Sequence, residues 1–179
     1  RSVKFVGVRG NRHIVYSILV LRACSRCCSK VNLIPRRKMT LMWNNPAIPF
    51  TVSLAEKQCV PGRDFVLVGD AFYGAQRFSI SFVQTNSGTR LFQLDFRFDQ
   101  NEAVLNSNFP VGCWGEEERH PLPLLMGRKF NIEVKCSTDR FVIIVDFQYH
   151  CEFAFRFDMN MADTLMIEGD VYIQSVQIN

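Results

Sequence analysis

The chain has 179 residues, 47% of them hydrophobic, with 16 phenylalanines and a formal net charge of +4; this suffices for one domain with a full core and is too short for two ordinary ones. The charge is uneven. Residues 1–38 carry ten Arg and Lys and no Asp or Glu, which leaves 11 of the 21 basic groups against all 17 acidic ones, a net −6, on residues 39–179. An acidic body lacks the electrostatic footing that a nucleic-acid partner requires.

At the N-terminal end, the apolar run Ile14 to Leu21 is eight residues, far short of the ~20 that span a bilayer, so no membrane insertion is expected. Arg22 follows it at once, without the small-residue cleavage site of a signal peptide. Cys24, Cys27 and Cys28 contain a C-x-x-C, but no second such pair or His pair follows at finger spacing, so no metal site is expected. Composition changes abruptly at Met39. The expected organisation is a basic extension over 1–38, disordered or not part of the mature protein, and a domain over 39–179. The remaining cysteines, Cys59, Cys113, Cys136 and Cys151, are scattered singly and read as free thiols.

From Pro49 onward the pattern has period two. "FVLVGDAF" is nearly uniformly apolar, as for a strand covered on both sides; "RFSISF" sets Phe78, Ile80 and Phe82 on one side. "RLFQLDFRF" sets Phe92, Leu94, Phe96 and Phe98 against Gln93, Asp95 and Arg97. "RFVIIVDF" again predicts a doubly covered strand, and "YHCEFAFRF" a half-buried one, with one short helical turn within Met161 to Met166. Turn signals such as Asn86-Ser87-Gly88 separate the runs, and about ten short strands predict an all-β, two-sheet antiparallel sandwich or barrel.

Polar residues converge on a few of these strands. Gln93, Asp95 and Arg97 share one face, Val104 and Asn106 a second, Glu117 and Arg119 a third, and Gly115 marks a bend that swings Trp114 over the edge of the patch. An indole beside amides, carboxylates and guanidinium groups suits a sugar: one pyranose face is a sheet of C–H groups, and the hydroxyls at its rim need fixed donors and acceptors. A nucleotide would call for a Gly-rich phosphate loop or surplus Lys and Arg, both lacking here. An enzyme is not expected. Asp95 and Glu117 are the only obvious carboxylate pair, and each has an arginine nearby that would keep it ionised, unlike a general acid. His13, His120 and His150 lie in unrelated contexts.

Residues from about Asn45 to Asn179 resemble a galectin carbohydrate-recognition domain. "WGEEER" is similar to that family's W-G-x-E-x-R signature and "AVLNS" to its V-x-N strand. "PAIPFTVSLAEKQCVPG", "DAFYGAQRFSISF", "LPLLMGRKFNIEV" and "IEGDVYIQSV" extend the match. The resemblance implies a jelly-roll β-sandwich and a lectin site on the concave sheet that takes β-galactoside glycans without metal or cofactor and performs no chemistry. Carried over by position, Trp114 would stack on galactose and Arg97 and Asn106 would bond its hydroxyls. Glu117 and Arg119 would read the next sugar while Glu117 orients Arg97, Val104 would pack beneath, and Glu116 and Glu118 would face away. The departure lies in the H-x-N-x-R strand, where Gln93 stands for the histidine and Asp95 for the asparagine. One unpaired polar group there would weaken galactoside binding by about ten- to a hundredfold or redirect the site to another glycan. The alternative is therefore a galectin-fold protein with weak or lost lactose binding that acts as a protein-interaction module. The resemblance also implies a cytoplasmic location, an extracellular one reached by non-classical secretion, or both, and is compatible with a homodimer.

Overall fold

The computed structural model describes residues 2–9, 12–19, 40–54 and 59–179. Their strands form two antiparallel sheets. One comprises β1 (Ser2–Arg9), β2 (Arg12–Leu19), β3 (Thr40–Asn44), β5 (Asp64–Ala71), β10 (Lys129–Cys136), β11 (Arg140–Val145), β12 (Gln148–Ala154) and β14 (Val171–Ile178), in the order β1-β2-β3-β14-β5-β10-β11-β12. The other comprises β4 (Phe50–Ser53), β6 (Arg77–Gln84), β7 (Thr89–Arg97), β8 (Glu102–Asn108), β9 (Glu118–Pro121) and β13 (Thr164–Gly169), in the order β4-β13-β6-β7-β8-β9. The body from residue 40 thus supplies six strands to each sheet of the expected jelly-roll sandwich. No helix of the described residues is long and apolar enough to cross a membrane.

Phenylalanines on the inward faces fuse the sheets. Phe78, Ile80 and Phe82 of β6 and Leu94 and Phe96 of β7 are buried against Phe65 and Leu67 of β5, Ile132 and Val134 of β10, and Phe141 and Ile143 of β11. Each such side chain contributes about 1.5–3 kcal/mol by leaving water. Phe82 meets Phe65 at 4.7 Å, and Phe141 lies 5.0 Å from Phe82, 4.7 Å from Phe92 and 4.8 Å from Phe155 between ring centroids.

Two local expectations need correction, and a third feature departs from simple alternation. First, β5 and β11 are covered on one side only: Phe65, Leu67, Phe141 and Ile143 are buried, whereas Val66, Val68, Val142 and Ile144 are half-exposed. Valine and isoleucine favour the extended backbone whether or not both faces are buried, so an apolar run overstates coverage. Second, the helical turn is Met159–Met161, capped by the Asp158 side chain, which accepts from the Asn160 amide; Thr164 already begins β13. Third, a register shift between Arg90 and Gln93 inserts a bulge in β7, so that adjacent Leu91 and Phe92 are both buried and the alternation flips at Arg90. Within the stretch expected to be an N-terminal extension, residues 2–9 and 12–19 are strands that pair with each other, and β2 pairs with β3. Runs rich in β-branched and aromatic residues favour strand, and the β3 edge offers unpaired backbone groups. The C-x-x-C lies outside the described residues.

The four body cysteines are free thiols. Burial pushes Cys136 up to about 11 and Cys151 to about 12, and raises Cys59 further still.

Phe141→Ala removes the ring that joins the two sheets and should cost about 3–5 kcal/mol in urea unfolding. A loss below about 1 kcal/mol would show that the phenylalanine cluster does not hold the sandwich together.

Candidate carbohydrate-binding site

The face of the six-stranded sheet turned away from the core carries polar residues in register. Ser81 lies opposite Gln93 and Gln93 opposite Asn106; Ser79, Asp95, Val104 and Arg119 form the next row; Arg77, Arg97 and Glu102 form the third. Period two makes this possible: each strand that sends phenylalanine or leucine inward must send its alternate residues to this face. Seven of the eight expected site residues, Gln93, Asp95, Arg97, Val104, Asn106, Trp114 and Glu117, line one cavity of about 260 Å³, together with Arg77. Arg119 lies outside the lining and reaches it through Glu117. Val104 is 1% exposed and forms an apolar patch of the floor.

Charge along one wall alternates. Arg97 donates from Nε to Asp95 Oδ2 at 2.7 Å and from Nη2 to Glu117 Oε1 at 2.7 Å; Glu117 also accepts from Arg119, which donates to Glu102 at 2.7 Å. Burial works against the charge on Arg97, but the hydrogen bonds to Glu117 and Asp95 outweigh it and raise its pKa. The hydrogen bond from Arg97, ahead of burial, which opposes it, and of the bond from Arg119, holds Glu117 below the usual carboxylate range. One arginine thus grips both carboxylates that a glycosidase would need, and an ionised Glu117 is an acceptor and orienting group rather than an acid.

The two amides of the site are oriented by arginines that sequence reasoning missed. Arg90 donates from Nη1 to Gln93 Oε1 at 3.1 Å and to Ser81 Oγ at 3.0 Å, and pairs with Glu168 at 2.7 Å. Gln93 therefore turns its NH₂ toward the cavity. Asn106, 6% exposed, donates to the Gly115 carbonyl at 3.0 Å while its Oδ1 accepts from the Ser107 amide at 2.8 Å and from Arg156 Nη1 at 2.9 Å. Both lone pairs of Oδ1 are thus taken, and one N–H remains for a ligand. Simple alternation points Arg90 into the core, and only the bulge brings it out. Arg156 follows β12 on the other sheet, where no pattern in the sequence links it to this site. Arg77 was within reach, since it shares parity with Ser79 and Ser81 opposite Phe78 and Ile80.

Trp114 is 50% exposed and bridges by its backbone to Asn108. Residues 115–117, between it and β9, belong to no strand, turn or bend, so the bend expected at Gly115 is not seen. Gly115 does not have a positive φ. Its role is spatial: a Cβ there would lie 2.5 Å from Arg156 Nη1 and 3.2 Å from Asn106 Oδ1. Glu116 is exposed, whereas Glu118, expected to face away, pairs with Arg156 at 2.9 Å.

His120 and His150, unrelated in sequence, meet with ring centroids 5.9 Å apart because β9 and β12 are the edge strands on one side of the two sheets. Burial and the neighbouring His120 lower the His150 pKa. Neither histidine lines the cavity. Among the described residues, no group of three or more His, Cys, Asp or Glu side chains could hold a metal ion.

Because the Glu117 pKa is depressed on folding, its contribution to stability is present above its ordinary value of 4.5 and is lost as pH falls through the lower folded value. An NMR titration of the Glu117 carboxylate should give a midpoint below 4.5 that returns toward 4.5 in Arg97→Met. A midpoint unmoved by that substitution would contradict the ladder.

Comparison with known proteins agrees with this geometry. A family model described as galactoside-binding lectin matches residues 49–178. The chain is 31% identical over 136 residues to a 32 kDa beta-galactoside-binding lectin of Haemonchus contortus, covering 74% of this chain and 47% of that protein. It is 34% identical over 133 residues to the protein of the same name from Caenorhabditis elegans, covering 72% and 47%. The chain thus spans about half the length of the curated relatives it matches. The crystal structure of Caenorhabditis elegans galectin LEC-6 superposes with a TM-score of 0.72 at 22% identity, covering 77% of this chain and 95% of that one, which establishes the fold. A match over most of the body, on a two-sheet sandwich of this topology, makes the chain a member of the galactoside-binding lectin family, the galectins.

Proposed function

We propose that residues 39–179 form a carbohydrate-recognition domain that binds β-galactoside-type glycans non-covalently and performs no chemistry. The observation that carries this reading is the convergence of Trp114, Arg97, Glu117, Asn106 and Val104 on one open cavity of about 260 Å³. In this reading the half-exposed indole takes the C–H face of galactose. The remaining N–H groups of Arg97 and Asn106 and the amide of Gln93 donate to its hydroxyls, while Asp95 and Glu117 accept. Arg119, held by Glu117 and Glu102, faces the neighbouring sugar. The relatives that are named as beta-galactoside-binding lectins support the ligand class. No cofactor or metal is needed. The family's soluble members suggest action in the cytosol or outside the cell, and the free thiols suit the former.

One observation favours a second reading, in which the site holds lactose weakly and the domain serves protein interaction instead. Both site amides are partly spoken for: Asn106 Oδ1 is saturated by two protein donors, and one lone pair of Gln93 Oε1 is taken by Arg90. With Gln93 Oε1 engaged by Arg90 and Asp95 Oδ2 by Arg97, the axial galactose hydroxyl meets a less adaptable pair than His and Asn would supply.

Binding of the full chain to an array of galactosides, with Trp114→Ala as control, separates the two readings. A signal lost in the mutant is expected. The lectin reading fails if no galactoside binds, or if the mutant binds as well as the parent. Gln93→His should raise lactose affinity about tenfold or more, and an unchanged value would refute the role given to Gln93.

A further inference from the structure

We infer that Arg156, from outside the sugar-binding sheet, is the positioning residue that fixes the Trp114 segment over the cavity; the inference rests on the lectin reading only where it speaks of affinity. The indole is half exposed, so core packing cannot hold it in place. Its position depends on how the backbone from Trp114 to Glu118 is fastened.

Beside the backbone bond from the Gly115 N–H to the Ser107 carbonyl at 3.0 Å, two of those fastenings are made by Arg156 directly and a third through Asn106. Nη2 donates to the Glu116 carbonyl at 2.7 Å and to Glu118 Oε1 at 2.9 Å, while Nη1 donates to Asn106 Oδ1 at 2.9 Å. Asn106, so oriented, directs its own NH₂ to the Gly115 carbonyl at 3.0 Å. The guanidinium carbon lies 4.7 Å from the centroid of the Phe153 ring, a cation–π contact that anchors the fork to the core of the opposite sheet. The fork therefore ties the segment after the indole, the cavity-floor amide and the second sheet together. Gly115 fits this arrangement, since a Cβ there would lie 2.5 Å from Nη1 and the fork would have to shift.

Planarity matters here. A guanidinium offers several N–H groups in fixed directions, so one side chain reaches Asn106, Glu116 and Glu118 together. Lysine could keep the charge opposite Glu118 but not the whole fork. Arg156 acts on sugar through Trp114 and Asn106, and it does not line the cavity.

The test uses the full chain in a Trp43→Phe background, which leaves Trp114 as the sole fluorophore of the two tryptophans. Time-resolved anisotropy and acrylamide quenching are read without sugar, and binding to a fluorescent lactoside is read separately. Arg156→Ala, Arg156→Lys and Gly115→Ala should each add a fast local component to the indole decay and increase quenching. Lactoside binding should weaken by about three- to tenfold, the cost of ordering the segment on binding. The lysine variant, which retains the charge, guards against mere unfolding, and Gly115→Ala displaces the fork with the arginine still present. An indole as ordered as the parent's in the folded variants overturns the inference, whatever happens to binding. A parent that binds no lactoside sinks the proposed function instead, and leaves the fluorescence result to decide the role of Arg156.

Discussion

A largely buried guanidinium on the face of a β-strand is tolerable only if its charge is met, and the polar face of the six-stranded sheet is organised around meeting that of Arg97. Its side chain is 14% exposed between Asp95 and Glu117, and Glu117 is held in turn by Arg119. Leaving one member of such a pair alone typically costs about 3–5 kcal/mol, so the ladder behaves as a unit. The same constraint fixes its chemistry. Glu117, bonded to Arg97 and Arg119, stays ionised and accepts hydrogen bonds, which suits recognition of hydroxyls and disfavours proton transfer.

The scaffold beneath is what keeps that ladder rigid. Strands β6, β7 and β8 each commit one face to phenylalanine, leucine or isoleucine in the core, so the opposite residues have no freedom to change side without moving buried rings. The segment from Trp114 to Glu117 lacks this support. It lies between β8 and β9 outside the strands, held by the bond from the Gly115 N–H to the Ser107 carbonyl and by side-chain bonds: Asn106 from below and Arg156 from across the sandwich. The site thus combines a preorganised floor with a rim fastened by a few specific bonds.

Much of this was legible in the sequence. Period two gave the strands and told inward from outward residues for β6 and most of β7, and the W-G-x-E-x-R and V-x-N patterns, with the strand that stands for H-x-N-x-R, gathered seven residues that line one cavity. What alternation could not supply was the bulge at Leu91 and Phe92, because an extra residue between two apolar neighbours leaves no trace in a pattern of apolar residues. Arg90 was lost with it. Arg156 was illegible for another reason: it lies 50 residues from Asn106, and only the packing of one sheet on the other brings them together. The coverage of β5 and β11 was overestimated because apolarity reports strand propensity as well as burial.

The central claim is that a galactoside enters the cavity between Trp114 and Arg97. Its most direct test is a lactose titration of the isotopically labelled chain followed by two-dimensional NMR of side-chain N–H groups. The account predicts progressive shifts of the Trp114 indole, the Arg97 Nε–H and the Gln93 amide, with no comparable shifts at the outer strands β4 and β13. Shifts confined to another face, or none at saturating lactose, would contradict it.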